Sequence, residues 1–168
     1  QMCIRDRYSD GKESREIEGD LVLVATGRRP NVTNLGLEDI GLEFSPHGIK
    51  VDDRGATNMP GIWAAGDVTG QAWLAHAASR MGEVVVNNIS GQTDQIRHDT
   101  MPAVVYTSPE VAVVGLTKEE AEERGIKTRN GRIPMAINAR YIAENPEEAG
   151  LCKVVLEDGT NRLLGVHM

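Results

Sequence analysis

Cysteine is nearly absent: Cys3 and Cys152 are the two in 168 residues. Neither belongs to a CxxC or CxxxxC pair, and nothing in the sequence supports a disulfide between them. So low a count is what a reducing compartment predicts, and the expected location is cytoplasmic. In "GLCKVVLED", Cys152 reads as a small buried hydrophobe rather than a reactive thiol. Long apolar runs are also missing. None exceeds five residues, whereas a membrane-spanning helix needs about 20.

A basic block is missing too. Lys and Arg number 18 against 25 Asp and Glu, a formal charge of −7, and the basic residues are dispersed. That argues against nucleic acid as the partner, because phosphate binding wants a basic stripe. The opening "QMCIRDR" has neither periodicity nor a signal-peptide pattern. Residues 1–7 are therefore expected to be a non-native scar outside the fold. There is no GxGxxG after a strand, no P-loop and no cluster with metal-ligand spacing. Ser108 in "YTSPE" has no base near it in sequence and no nucleophile-elbow glycines, so it reads as a turn serine. No catalytic residue and no metal ligand are assigned.

With 40% apolar residues, the chain can bury one ordinary core. "DLVLVATG", residues 20–27, is a continuous apolar run ending on glycine, expected as a strand buried on both faces of a sheet. Residues 34–60 are loop-rich, with "HGIKVDDRG" as a short strand. "GIWAAGD", residues 61–67, is expected as a second buried strand. In "WLAHAASRMGEVVVNNISG", Leu74, Ala77, Ala78, Met81, Val84, Val85 and Ile89 recur at spacings of three and four. They predict an amphipathic helix stopped by Gly91, with Gly82 costing about 1 kcal/mol inside it.

The polar segment "QTDQIRHDT", residues 92–100, reads as a linker. Beyond it, "AVVYTSPEVAVVG" predicts two strands around a Ser-Pro turn. "TKEEAEERG" predicts a helix with a Thr117–Glu120 capping box, stopped by Gly125. "RIPMAI" reads as a strand and "ARYIAENPEEAG" as a bend or short helix. "LCKVVLEDGTNRLLGVHM" predicts a hairpin turning at Asp158-Gly159. The closing "RLLGVHM" reads as a strand cut off in progress, and the chain as a fragment. The division near residue 98 separates an α/β part from an α+β part.

Three places could carry chemistry. Asp67 ends a buried run where open α/β sheets bind ligands, and an ionised carboxylate suits sugar-type hydroxyls. It could equally make a turn or cap the following helix. The helix start at Trp73, Leu74, Ala75 and His76 offers free N–H groups to an anion or oxyanion. There the backbone matters more than the His76 ring, which alone reads as structural. In "ATGRRPN", Gly27 permits close approach of a flat ligand or a chain crossing. Arg28 and Arg29 could meet phosphates or carboxylates, or simply stand in solvent.

Taken in order, "LVLVATGRRPNVTNLGLEDIGLEF", "GIWAAGDV", "LAHAASRMGE", "YTSPEVAVVGLTKEEA" and "NARYIAENPEEAGLCKVVLEDGTNRLLGVHM" resemble one family. It is the flavin-dependent pyridine nucleotide–disulfide oxidoreductases, and within it the dihydrolipoamide dehydrogenase branch. The resemblance implies the end of the FAD/NAD-binding domains followed by a truncated interface (dimerisation) domain. Residues 8–30 would close the NAD-binding domain, 31–98 form the central FAD-binding segment, and 99–168 belong to the interface domain.

Carried over to this chain, the resemblance implies that Asp67 hydrogen-bonds a ribityl hydroxyl of FAD. The backbone of Trp73, Leu74, Ala75 and His76 would face the flavin pyrimidine edge and stabilise negative charge there. Gly27 would lie beside NAD. The implied partners are a second copy, in a homodimer, and the lipoyl domains of 2-oxoacid dehydrogenase or glycine-cleavage complexes. Trp73 stands where many relatives have methionine. The amino-terminal FAD fingerprint, the redox cysteine pair, most of the NAD domain and the acid–base His-Glu pair are not in these 168 residues. FAD is accordingly expected to bind this chain weakly or not at all. A glutathione- or mercuric-reductase-like sibling stays open, as does a catalytically silent dimerisation or binding module.

Overall fold

The computed structural model describes residues 4–9, 11–147 and 149–168. Cys3 lies outside them, and Cys152 is free and half-buried. The chain opens on an antiparallel hairpin, β1 (Ile4–Ser9) with β2 (Ser14–Gly19), held in part by an Arg7–Glu16 ion pair. Ile4 to Arg7 thus pair in a strand, although the segment shows no periodicity.

The expected strand over residues 20–27 does not form. Residues 21–32 have no regular secondary structure, and Leu21 and Leu23 are 91% and 89% exposed. A strand needs a neighbour to satisfy its N–H and C=O groups, and no strand among the described residues pairs with this run. The second expected strand, 61–67, is likewise replaced. Here the backbone makes a single antiparallel bridge, Ala56 to Trp63, and Ala64 is buried beneath it. The predicted strand within 47–55 shrinks to a two-residue arm of a small hairpin, β3 (Phe44–Ser45) with β4 (Gly48–Ile49).

These short pieces enclose a core of Val32, Leu37, Leu42, Ile49 and Ala64, with Phe44, Val51, Met59, Ile62 and Val68 packed against it. The predicted helix is present as α1 (Ala75–Ile89). It buries Ala77, Met81 and Val84 and ends at Ser90, and Gly91 takes a φ of +82°. Met81 and Val84 form a second cluster with Ile96. Residues 92–97 are therefore no free linker: Ile96 is buried, and its N–H donates to the Asp53 carbonyl at 2.7 Å.

After residue 100 one antiparallel sheet organises the chain, in the order β5 (Ala103–Val105), β6 (Val111–Gly115), β9 (Leu163–His167), β8 (Leu151–Glu157), β7 (Thr128–Pro134). The expected Ser-Pro turn joins β5 to β6, and the predicted last hairpin is β8–β9. The helix α2 (Lys118–Glu123) has both capping-box bonds, Thr117 with Glu120, and ends before Gly125 at φ +72°. Such a cap stabilises a helix by about 1 kcal/mol. The expected strand 132–137 stops at Pro134, and Met135–Ile137 form a 3-10 turn before α3 (Ala139–Glu144). The register places Val104, Ala112, Val114, Val166 and Val154 on one face, all incompletely buried, whereas Val155 on the other face is buried. Among the described residues no helix is long and apolar enough to cross a membrane.

Candidate functional site

Asp67 sits in a 3-10 turn, Gly66–Thr69, entered from an extended Ala65 and left through Gly70 at φ +69°. The turn is tied by its own bonds. The buried Thr69 hydroxyl donates to the Gly66 carbonyl at 2.8 Å, and the Gly70 N–H donates to the Asp67 carbonyl at 3.0 Å. The Asp67 side chain is exposed and has no hydrogen-bond partner among the described residues. It does not cap α1, whose N-cap is Leu74.

Two glycines fix the turn in space. A Cβ on Gly70 would overlap the His47 carbonyl oxygen, and one on Gly48 would lie 2.5 Å from the Thr69 carbonyl. The β3–β4 hairpin and the Asp67 turn thus cross backbone to backbone, an approach that side chains would prevent. On its other side the turn meets α1: a Cβ on Gly66 would lie 3.3 Å from the Ala78 Cβ.

The start of α1 offers the complementary chemistry. Leu74 is extended, makes no side-chain cap, and accepts the first helical bond from Ala78 N–H at 3.0 Å. The N–H groups of Ala75, His76 and Ala77 therefore have no acceptor within the helix. An apolar N-cap at a 15-residue helix leaves the positive end of the dipole open to a ligand. Ala75 and His76 are exposed, as is Trp73 at 39%. The structure therefore brings a free carboxylate and free amides onto neighbouring elements.

Gly27 adopts φ +102°, but a Cβ there would meet nothing within 4 Å, so it answers a backbone need and not a crowded one. Arg28 and Arg29 are exposed and form no ion pair among the described residues. The run reaches the Asp67 turn through Pro30, whose Cγ would lie 3.4 Å from a Cβ on Gly70.

Two features escape sequence reasoning. One is a bond from His76 Nε2 to the Pro102 carbonyl, 26 positions away. The other is a clamp on Asp94. Its carboxylate accepts from Arg80 at 2.6 Å and from the Asn87 amide at 2.8 Å, and its carbonyl accepts from the Asn88 amide at 2.8 Å. Arg80 and Asn87 are seven apart on one helix face, a spacing that could have flagged a shared partner.

The Arg80 hydrogen bond, and then that of Asn87, hold the Asp94 carboxyl below the ordinary carboxylate range. A depressed carboxylate gives stability that is present above its unfolded-state pKa, about 4, and is lost as pH falls through the folded value. Asp94→Ala should therefore lower the urea midpoint most at about pH 6, with the gap to the parent closing below about pH 4. A gap that stays constant across that range would dissociate the clamp from the carboxylate.

The family described as "Pyridine nucleotide-disulphide oxidoreductase" matches residues 5–82, and its "dimerisation domain" matches residues 101–168. The mitochondrial dihydrolipoyl dehydrogenase of Pisum sativum is 42% identical over 161 residues, covering 95% of this chain and 32% of the relative. The leghemoglobin reductase of Glycine max is also 42% identical over 161 residues, covering 95% and 31%. Among solved structures, LpdA from Mycobacterium tuberculosis superposes with a TM-score of 0.81 at 30% identity, over 97% of this chain and 37% of that one. The chain spans about a third of the length of the curated relatives it matches. Two profiles of one family, in the right order and on either side of the clamped segment, establish that the chain belongs to the pyridine nucleotide–disulfide oxidoreductases.

Proposed function

We propose that this chain is the part of a dihydrolipoamide dehydrogenase-type flavoenzyme that holds one side of the flavin and carries the dimerisation sheet. The observation that carries this reading is the unpartnered Asp67 carboxylate on a turn packed against α1, beside three free helix amides. A ribityl chain offers hydroxyl donors, which a carboxylate accepts. The flavin pyrimidine edge offers acceptors, which helix amides donate to. The residues present thus fit FAD. When bound, FAD supplies two-electron redox chemistry between a disulfide and a nicotinamide cofactor, here assigned as NAD.

The chain's own contribution is to orient and to stabilise charge. Asp67 would fix the ribityl chain, and the amides at Trp73, Leu74, Ala75 and His76 would favour negative charge at the ring edge. Gly27 is assigned to the neighbourhood of NAD. We assign residues 8–30 to the end of the NAD-binding domain, 31–98 to the FAD-binding segment and 99–168 to the interface domain. The half-exposed valine face of the β5–β6–β9–β8–β7 sheet supports a homodimer partner. Lipoyl domains are proposed as partners on the relatives' names, and the cytoplasm as location on the low cysteine count. The same valine face favours, as a second reading, a dimerisation module without catalysis.

Flavin affinity tests the first reading. Titrated with FAD by flavin fluorescence, the chain should bind weakly. Asp67→Asn should weaken that binding by about tenfold or more, the scale of a hydrogen bond to a charged group. Equal affinity of the two proteins would refute the role of Asp67. A purified chain already carrying stoichiometric flavin would refute the expectation of weak binding.

A further inference from the structure

The start of a helix is its least stable turn, because its first residues lack half of their hydrogen bonds. Most helices pin it with a Ser, Thr, Asp or Asn N-cap, but such a cap consumes one of the free amides. Leu74 consumes none and pins nothing. What holds the turn instead is the second residue of the helix. His76 Nε2 lies 2.7 Å from the carbonyl oxygen of Pro102, the residue immediately before β5. A carbonyl only accepts, so Nε2 carries the hydrogen. Among the described residues, this is the one side-chain hydrogen bond from residues before 99 to residues after 100. Met81, Val84, Ile96 and Met101 pack just beyond it, which gives the tie a firm base on both sides.

We propose that His76 is a positioning residue: its imidazole replaces an N-cap, tying the first turn of α1 to Pro102 while leaving the amides of residues 75–77 free for an acceptor ligand. The inference rests on the reading that the amides at the start of α1 face the flavin. It adds that their aim is set from the interface segment, so the sheet that forms the dimerisation domain and the cofactor-facing helix start move as one.

The test uses the chain itself, without flavin. In nitrogen-resolved NMR spectra of the parent, the neutral His76 ring should be the Nε2–H tautomer. His76→Ala should speed hydrogen exchange at the Ala78 and Ser79 amides about five- to tenfold, the scale of one lost hydrogen bond. Amides near Asn87 should be unchanged. His76→Gln, whose amide reaches as far as Nε2 and donates, should restore the parent rates. Should His76→Ala fail to fold, His76→Asn, too short to reach Pro102, takes its place in the same comparison. Unchanged exchange, a uniform rise along the whole chain, an Nδ1–H tautomer, or no rescue by glutamine would each overturn the proposal. Adding FAD separates the two ideas. If the exchange effects appear but FAD leaves the 75–77 amides unmoved, the tie stands and only the flavin reading falls.

Discussion

Gly70→Ala should cost the chain about 3 kcal/mol or more of stability. Two independent causes add. An alanine at φ +69° pays about 1–2 kcal/mol for the left-handed conformation. Its Cβ would also overlap the His47 carbonyl oxygen and lie 3.0 Å from the His47 carbonyl carbon. That neighbour is backbone and cannot swing aside, and overpacking of this kind costs about 1–3 kcal/mol. Gly61 separates the causes: it too has positive φ, +81°, but a Cβ there meets nothing within 4 Å. Gly61→Ala should therefore lose only the conformational part, about 1–2 kcal/mol. Urea unfolding of the two variants checks this. Equal midpoints would mean that the hairpin and the Asp67 turn do not cross as closely as described.

Met81→Ala should cost about 3 kcal/mol, within the 2–5 kcal/mol range for truncating a buried methionine. Met81 is fully buried and packs with Val84 and Ile96, with Ala65 and Met101 at the edge of the cluster. Those contacts join α1, the residue that enters the Asp67 turn, and the segment leading to β5. The cavity would open where three elements meet and none can collapse alone. Val86, on the same helix, is 60% exposed, so Val86→Ala should stay within about 0.5 kcal/mol of the parent. Helix circular dichroism followed through urea titration distinguishes the pair. Similar losses for both would place the core on the wrong face of α1.

What was legible in the sequence is what is local. The α1 helix, the Thr117–Glu120 capping box and the β8–β9 hairpin each carry their signals within a few residues, and each formed, although Ile89, counted in the apolar stripe, stands 62% exposed in the last turn. The run "DLVLVATG" shows the limit. Its apolar side chains announce burial but not against what, and its backbone finds no strand to pair with among the described residues. "GIWAAGD" failed differently: a single bridge at Trp63 and packing of Ala64 satisfied it without a ladder. Asp67 was legible as a residue of interest because a carboxylate follows small side chains. Its freedom from partners was not, since that depends on Thr69 and Gly70 closing the turn without it. The Asp94 clamp and the His76–Pro102 bond join residues 6 to 26 apart through side chains of ordinary type, and no composition signal marks them.

The central claim is that the Asp67 turn and the first turn of α1 together form one side of a flavin site. Mapping amide shifts by NMR as FAD is added at millimolar concentration tests it most directly. The account predicts movements confined to Gly66–Gly70 and Leu74–Ala78, with Asp67→Asn suppressing both sets. Movements centred instead on the open cleft lined by Phe44, His47, Lys50 and Gln71, or movements that Asp67→Asn leaves unchanged, would contradict it.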